Sequence, residues 1–173
     1  MTDQKMHRAE PMCALDPLLL IPRIEYVGDI HEFVLVQEQA YSLVVLDMKN
    51  FHVVNDLYSY DTGDRVIAAF ISNLRSWLPK GSLSLRFRHG DEFLFFLPLE
   101  PGAAAKLFNA FREHCEVTPA LALGGSEPII VSYRFAVIEL IQGEKMAAML
   151  LRAEKALRDV KGQGSPRTSP TIE

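Results

Sequence analysis

The sequence predicts an α+β domain, an α/β sandwich of ferredoxin-like type in which helices flank a central, mainly antiparallel sheet. Three observations lead there. The hydrophobic period switches along the chain in the order helix, strand, helix, hairpin, helix, strand, helix. Ser42 to Leu46 is a continuous apolar, β-branched run, the pattern of a strand covered on both faces. Leu83-x-Leu85-x-Phe87 and Phe93-Leu94-Phe95-Phe96-Leu97 flank the polar turn His89-Gly90-Asp91-Glu92, as the two arms of a hairpin do. No internal repeat is visible.

The elements follow in order. Arg23 to Gln39 reads as a helix, with Tyr26, Ile30, Phe33 and Gln37 or Val34 at spacings of three and four. The strand at Ser42 to Leu46 stops at Asp47. Residues 50–60 read as irregular or short helix. Asp61-Thr62-Gly63-Asp64 opens the next helix; Asp61 or Thr62 is the expected cap, and acidic groups suit the positive end of the dipole. That helix runs to about Trp77, with Val66, Phe70, Leu74 and Leu78 in one stripe and Ile67 and Ile71 beside it. Pro79-Lys80-Gly81 stops it.

After the hairpin, Pro98 to Gly102 breaks the chain. Ala103 to Cys115 reads as a helix through Ala104, Leu107, Phe108 and Phe111. Thr118 to Glu127 is a loop with room for a short strand at Ala120-Leu121-Ala122. Ile129 to Ile141 is the last strand. Glu144 to Val160 is the last helix, with Met146, Met149 or Leu150, Ala153 and Leu157 inward. The expected organisation is a poorly ordered N-terminus over 1–14, one domain over 15–162 and a flexible tail over 163–173, which is rich in Gly, Ser, Pro and Thr.

Composition narrows the function. A chain of 173 residues, 49% hydrophobic and 23% charged, fits one soluble domain with a real core. A net charge of −4 argues against a nucleic-acid-binding surface. No apolar run is long enough to span a membrane, and Met1-Thr2-Asp3-Gln4-Lys5 is unlike a signal peptide. Cys13 and Cys115 have neither metal nor redox spacing, so a cytoplasmic protein with free thiols is expected. The run G-x-x-x-x-G-K-[ST] of a P-loop is missing, and Gly124-Gly125-Ser126 reads as a plain loop. His7, His31, His52, His89 and His114 show no ligand spacing.

The chemistry-bearing stretches are Val44 to Phe51 and Arg88 to Phe93. A strand ending at Asp47, facing a hairpin tip that carries Asp91 and Glu92, brings carboxylates to one edge of a sheet. Such hard oxygen donors suit Mg²⁺ or Mn²⁺, and those ions suit nucleotide phosphates. Taken alone, the simpler reading is that Asp47 and Asp91 are solvated strand-end carboxylates and Asp64 is a helix cap.

A longer pattern adds weight. Leu46-Asp47-x-x-Asn50-Phe51-x-x-Val54-Asn55-Asp56, then Gly63-Asp64, then Gly90-Asp91-Glu92-Phe93, resembles the GGDEF domain of diguanylate cyclases, whose pattern runs roughly LDxDxFKxxNDxxGHxxGD and then RxGGDEF. Asp16-Pro17-Leu18-x-x-Ile21-Pro22-Arg23 resembles the DPLTGLPNR opening of such domains. Leu151-Arg152-Ala153-Glu154-Lys155-Ala156-Leu157, with Lys161, resembles their closing KRADEALYxAK helix. The resemblance covers about residues 16 to 162 and implies the nucleotide-cyclase palm fold.

In that family, two GTP molecules held on facing domains condense to cyclic di-GMP with metal assistance. By position, the resemblance implies Asp47, Asp91 and the Met48 carbonyl as metal ligands, and Asp91 and Glu92 as the catalytic acids of an active enzyme. It implies Asn55 and Asp64 as the pair that reads guanine. His52 and Lys161 take the phosphate-side positions, and His89, Gly90, Asp91, Glu92 and Phe93 form the signature turn. The implied cofactor is Mg²⁺ or Mn²⁺, where the nucleotide site works. The implied partners are GTP, a second copy, or another GGDEF or EAL domain.

Departures from the pattern point toward impaired catalysis. His89 makes the signature HGDEF and places an imidazole where glycine lets a nucleotide approach. His52 replaces the usual lysine and carries less positive charge at neutral pH. Ser59-Tyr60 replaces Gly-His, Arg158 replaces a tyrosine, and Ser165 stands where a phosphate-binding arginine is usual. Phe87 and Arg88 differ from the usual Arg and aromatic residue before the turn. Lys80 and Leu83 occupy the positions of the RxxD inhibitory motif, so no product-feedback site is expected. Three departures, each weakening transition-state binding by about 1.4 kcal/mol, would slow turnover roughly a thousandfold if independent.

Three readings follow. The first is a degenerate GGDEF domain with little or no cyclase activity, acting as a GTP-binding or dimerising regulatory module. The others are an active diguanylate cyclase and a protein-interaction scaffold that binds no nucleotide. The short stretch before the domain has no sensor pattern, so the chain is expected to be a piece of a longer protein or to depend on a partner.

Overall fold

The computed structural model describes residues 15–16, 18–37, 39–87, 90–122 and 128–163. The expected poorly ordered N-terminus, the tail beyond residue 163, and His89 with its neighbour Arg88 therefore lie outside the described residues.

The core of the fold is a four-stranded antiparallel sheet in the order β2-β3-β1-β4. β1 is Ser42–Met48, β2 Leu83–Arg86, β3 Glu92–Leu97 and β4 Tyr133–Glu139. β1 is central and every residue in it is buried, as its unbroken apolar run requires. It pairs with β3 from Ser42↔Leu97 to Asp47↔Glu92 and with β4 from Ser42↔Glu139 to Met48↔Tyr133. The helical segment between β1 and β2 crosses β3, and the helix between β3 and β4 crosses β1. That is the split βαβ arrangement expected from the element order.

Five helices cover the two faces: α1 Val27–Leu35, α2 Phe51–Tyr58, α3 Tyr60–Trp77, α4 Pro101–Val117 and α5 Met146–Gln163. Strand alternation divides the core in two. Val44, Leu46, Met48, Phe93, Phe95 and Leu97 face one way and pack with Val66, Phe70, Ile71 and Leu74 of α3 and Phe108 and Phe111 of α4. Leu43, Val45, Leu94 and Phe96 face the other way and pack with Val27, Ile30 and Val34 of α1 and Met149, Ala153 and Leu157 of α5. Phe70 sits edge-on to both Phe111 and Tyr133, with ring centroids 5.6 and 5.5 Å away. The buried Tyr133 hydroxyl donates to the Phe108 carbonyl at 2.6 Å and so ties β4 to α4.

Several elements differ from the sequence reading, each for a local reason. The first helix is shorter than expected: a 3-10 turn at Ile24–Tyr26 leads into α1, which ends at Leu35. Its inward stripe is Val27, Ile30, His31 and Val34, while Phe33 is exposed, so the buried face is turned by one residue from the one predicted. Residues 50–60 are properly helical over Phe51–Tyr58. The cap of α3 is Ser59 rather than Asp61 or Thr62: its hydroxyl accepts from the Thr62 amide at 3.4 Å.

α4 starts at Pro101, where the missing amide hydrogen of a first-turn proline costs nothing. β4 is shorter than the expected 129–141: the Lys49 amide still donates to the Ser132 carbonyl at 2.8 Å in the β1–β4 register, but before it Ile129 bridges to Leu121 instead. α5 runs to Gln163, past the end expected at Val160; the Lys161 ammonium is tied to the sheet and holds the last turn in place.

Phe70→Ala is expected to lower the unfolding free energy by about 3–5 kcal/mol, the usual cost of emptying a large buried aromatic site. Equilibrium urea unfolding measures it. A loss below about 1 kcal/mol would show that the α3–α4 face does not depend on this ring.

Candidate functional site

The end of β1 holds the site. Asp47 is its penultimate residue and only 6% exposed. Opposed residues of neighbouring strands share one face, so Glu92, Asp47 and Arg134 form a row across β3, β1 and β4. Asp47 follows Val45 on the face covered by α5, which brings Lys161 over the row. Arg134 Nε donates to Asp47 Oδ2 at 2.7 Å. Lys161 Nζ lies 2.6 Å from Asp47 Oδ1 and 3.0 Å from Glu92 Oε1. Burial pulls the Lys161 ammonium down, and its bonds to Asp47 and Glu92 more than offset that, so it stands above its ordinary value.

The hairpin tip is fastened to this end of the sheet. The Phe87 amide donates to the Glu92 carbonyl at 2.7 Å, and the Met48 amide donates to the Asp91 carbonyl at 3.1 Å. Gly90 has φ +81, a region that favours glycine, and an added Cβ would come 3.2 Å from Arg86 Nη2. Arg86 reaches over the turn, with Nε donating to the Gly90 carbonyl at 3.0 Å and Nη1 to Asp16 Oδ2 at 3.2 Å. Asp16 Oδ1 in turn accepts from the amides of Leu18 and Leu19, both at 3.0 Å. The Asp16 turn and the signature turn are thus one assembly. Phe93 is buried in the α3–α4 core and anchors the turn from below. Burial, with Asp47 and Glu92 nearby, pushes the Asp91 carboxyl above the ordinary carboxylate range.

The second part of the site lies on α2 and α3. Asn50 takes the left-handed conformation at φ 53 and turns the chain from β1 into α2. Asn55 stands on α2 against Gly63 of α3. A Cβ on Gly63 would overlap the Asn55 Oδ1, so glycine is what admits this amide. Asp64 follows in the first turns of α3, exposed. The amide and the carboxylate of the expected guanine-reading pair are therefore on neighbouring segments. His52 is exposed on the first turn of α2. Arg158 lines a small cleft with Glu92, Glu154 and Lys161, and lies 3.7 Å from Glu154.

The structure thus brings Asp47, Asp91, Glu92 and Lys161 together, with the Met48 carbonyl on the same strand end. It brings Asn55 beside Gly63 and Asp64. His89 lies outside the described residues. Arg134 and Arg86 were not singled out from the sequence. The signal for Arg134 was a cation inside the otherwise apolar run from Ile129 to Val137; its target only becomes visible with the strand register.

The family model for the diguanylate cyclase GGDEF domain matches residues 30–167. The chain belongs to the GGDEF domain family. It is 28% identical over 153 residues to the diguanylate cyclase VdcA of Vibrio cholerae, covering 87% of this chain and 44% of that protein. It is 32% identical over 130 residues to the diguanylate cyclase DgcM of Escherichia coli K12, covering 75% of this chain and 30% of that protein. The chain therefore spans less than half the length of these curated relatives. Among solved structures, it superposes with TM-score 0.76 on the diguanylate cyclase SiaD of Pseudomonas aeruginosa, crystallised with its activator SiaC, at 29% identity, covering 87% of this chain and 58% of SiaD. The GGDEF domain of DgcB from Caulobacter crescentus, at 20% identity and TM-score 0.76 over 91% of this chain and 94% of that one, shares the fold.

By residue type, Asp47, Asp91 and the Met48 carbonyl suit Mg²⁺ or Mn²⁺. The arrangement does not fit such an ion. Both oxygens of Asp47 are already held by protein cations. Among the described residues, no three His, Cys, Asp or Glu side chains are grouped so as to hold a metal. None of the described helices is long and apolar enough to cross a membrane.

Asp91 yields a prediction with a definite sign. Its carboxyl is raised in the fold, so the stability it contributes is complete below its unfolded value near 3.8 and is lost as pH rises through the folded value. Asp91→Asn should therefore be more stable than the parent at neutral pH, and the difference should vanish in acid. Thermal midpoints across pH test it; a variant less stable at neutral pH would show that the carboxylate is favourably held.

Proposed function

We propose that this GGDEF domain works in cyclic di-GMP signalling as a guanine-nucleotide-binding or dimerising regulatory module, with impaired cyclase catalysis. The observation that carries this reading is the contrast between the two halves of the site. On the guanine side, Asn55 is seated by Gly63, next to an exposed Asp64. An amide and a carboxylate together match the donor and acceptor edge of guanine. On the phosphate side, positive charge is already committed. Lys161 is paired with Asp47 and Glu92, and a histidine stands at position 52 where the family pattern has lysine.

Catalysis of phosphoryl transfer depends on positive charge placed where negative charge develops. Here Lys161 is held by both Asp47 and Glu92, so a triphosphate meets an ammonium that is already paired. A polyanion would have to break two ion pairs to recruit Lys161. Binding through the base is spared that cost. The imidazole expected at His89 adds to the obstruction in the same direction. A complete cyclase site also needs two facing domains, which makes a second copy or another GGDEF domain the natural partner.

Calorimetric titration with GTP, with ATP as control, tests the proposal. GTP-selective binding is expected, weakened about tenfold or more by Asn55→Ala or Asp64→Ala, which corresponds to loss of about 1.4 kcal/mol each. Turnover at high protein concentration should stay far below ordinary enzyme rates of roughly 1 s⁻¹ and above. Cyclic di-GMP production at an ordinary rate would refute impairment. The absence of any GTP binding up to millimolar concentration would leave a scaffold that works through protein contacts.

A further inference from the structure

We propose that Arg134, together with Lys161, takes the place of a divalent cation at the end of β1, so that this chain keeps Asp47 in a metal-free ion-pair cluster. Within the strand row two carboxylates, Asp47 and Glu92, face two cations, Arg134 and Lys161, with Asp91 as a third carboxylate beside it. Each oxygen of Asp47 has its own cation, Oδ2 held by Arg134 at 2.7 Å and Oδ1 by Lys161 at 2.6 Å. Neither oxygen of Asp47 is left open to a metal. Entry of a divalent cation would either expel one of the two partners or crowd three cationic centres around one buried carboxylate.

Arg134 is the decisive member. It projects from the strand paired directly with β1, in register with Asp47, so backbone hydrogen bonds fix its position. Lys161 reaches the row from the last turn of α5, by a long side chain rather than from a paired strand. Arg134 is thus a specificity-determining residue that selects against metal. The proposal deepens the nucleotide reading at the same site, and its corollary rests on that reading: guanine-nucleotide binding should not require Mg²⁺ or Mn²⁺.

The test is titration of the full chain with Mn²⁺ in the absence of nucleotide, following the electron paramagnetic resonance signal of free Mn²⁺. Wild type should leave millimolar Mn²⁺ unbound. Arg134→Gln should bind it about tenfold more tightly or better, and Asp47→Asn in that background should abolish the gain. Arg134→Lys, which keeps the charge, should behave as wild type. Asp47-dependent Mn²⁺ binding by wild type would overturn the proposal, as would a folded Arg134→Gln that binds no better than wild type. If Arg134→Gln does not fold, wild type and Arg134→Lys decide by the same criterion. GTP titration in chelator then separates the two claims: no GTP binding at all removes the nucleotide reading and leaves the cluster intact, whereas GTP binding that needs Mn²⁺ overturns the cluster.

Discussion

A carboxylate buried at the end of the central strand is the constraint on which this end of the molecule depends. β1 is covered on both faces over its whole length, yet its sequence runs on from Leu46 into Asp47. An isolated buried carboxylate would cost several kcal/mol, so the fold must deliver compensation at that point. It does so from two directions. The neighbouring strand supplies Arg134 in register, and the last helix supplies Lys161 from above. The ends of β4 and α5 are thereby fixed relative to β1, and the length of α5 beyond its apolar stripe follows from the same contact.

The hairpin joins this arrangement through Glu92, which shares Lys161, and through the Asp91 carbonyl, which accepts from the Met48 amide. The tip would otherwise be a loose polar turn. Arg86 prevents that by bridging the Gly90 carbonyl to Asp16, whose other oxygen closes the turn at Leu18 and Leu19. Three segments distant in sequence thus meet at one sheet edge through charge-assisted hydrogen bonds, which are the stronger kind. The other half of the site uses different physics. Asn55 is positioned sterically, by a glycine that leaves room for an amide, and carries no buried charge.

The fold was legible because its signals are local. An unbroken apolar run marked β1, alternation marked β2, and the stripe through Val66, Phe70 and Leu74 marked α3. Boundaries were less so, since they depend on tertiary contacts: Ile129 pairs with Leu121, and Lys161 holds the α5 terminus. α1 was turned by one residue because Tyr26 belongs to a 3-10 turn and Phe33 lies at the surface. In the site, Asp47, Asp91, Glu92, Asn55, Asp64 and Lys161 were named from the pattern. Arg134 was not, because an arginine in a strand carries no local sign of which residue it will oppose. Only the β1–β4 register reveals that.

The two halves of the site follow from this division of labour. A charge cluster built to stabilise a buried strand end is satisfied when no ligand is present, and whatever competes for its members must first break it. The seat of Asn55 is steric instead: its Oδ1 is directed at Gly63, where glycine leaves it room. In the charged half, Arg134 and Lys161 are already engaged by Asp47 and Glu92. In a catalyst the opposite is wanted, with fixed cationic groups waiting for the charge that develops on a transferring phosphoryl group. Here Arg134 and Lys161 meet the charge of Asp47 and Glu92, which belongs to the fold itself.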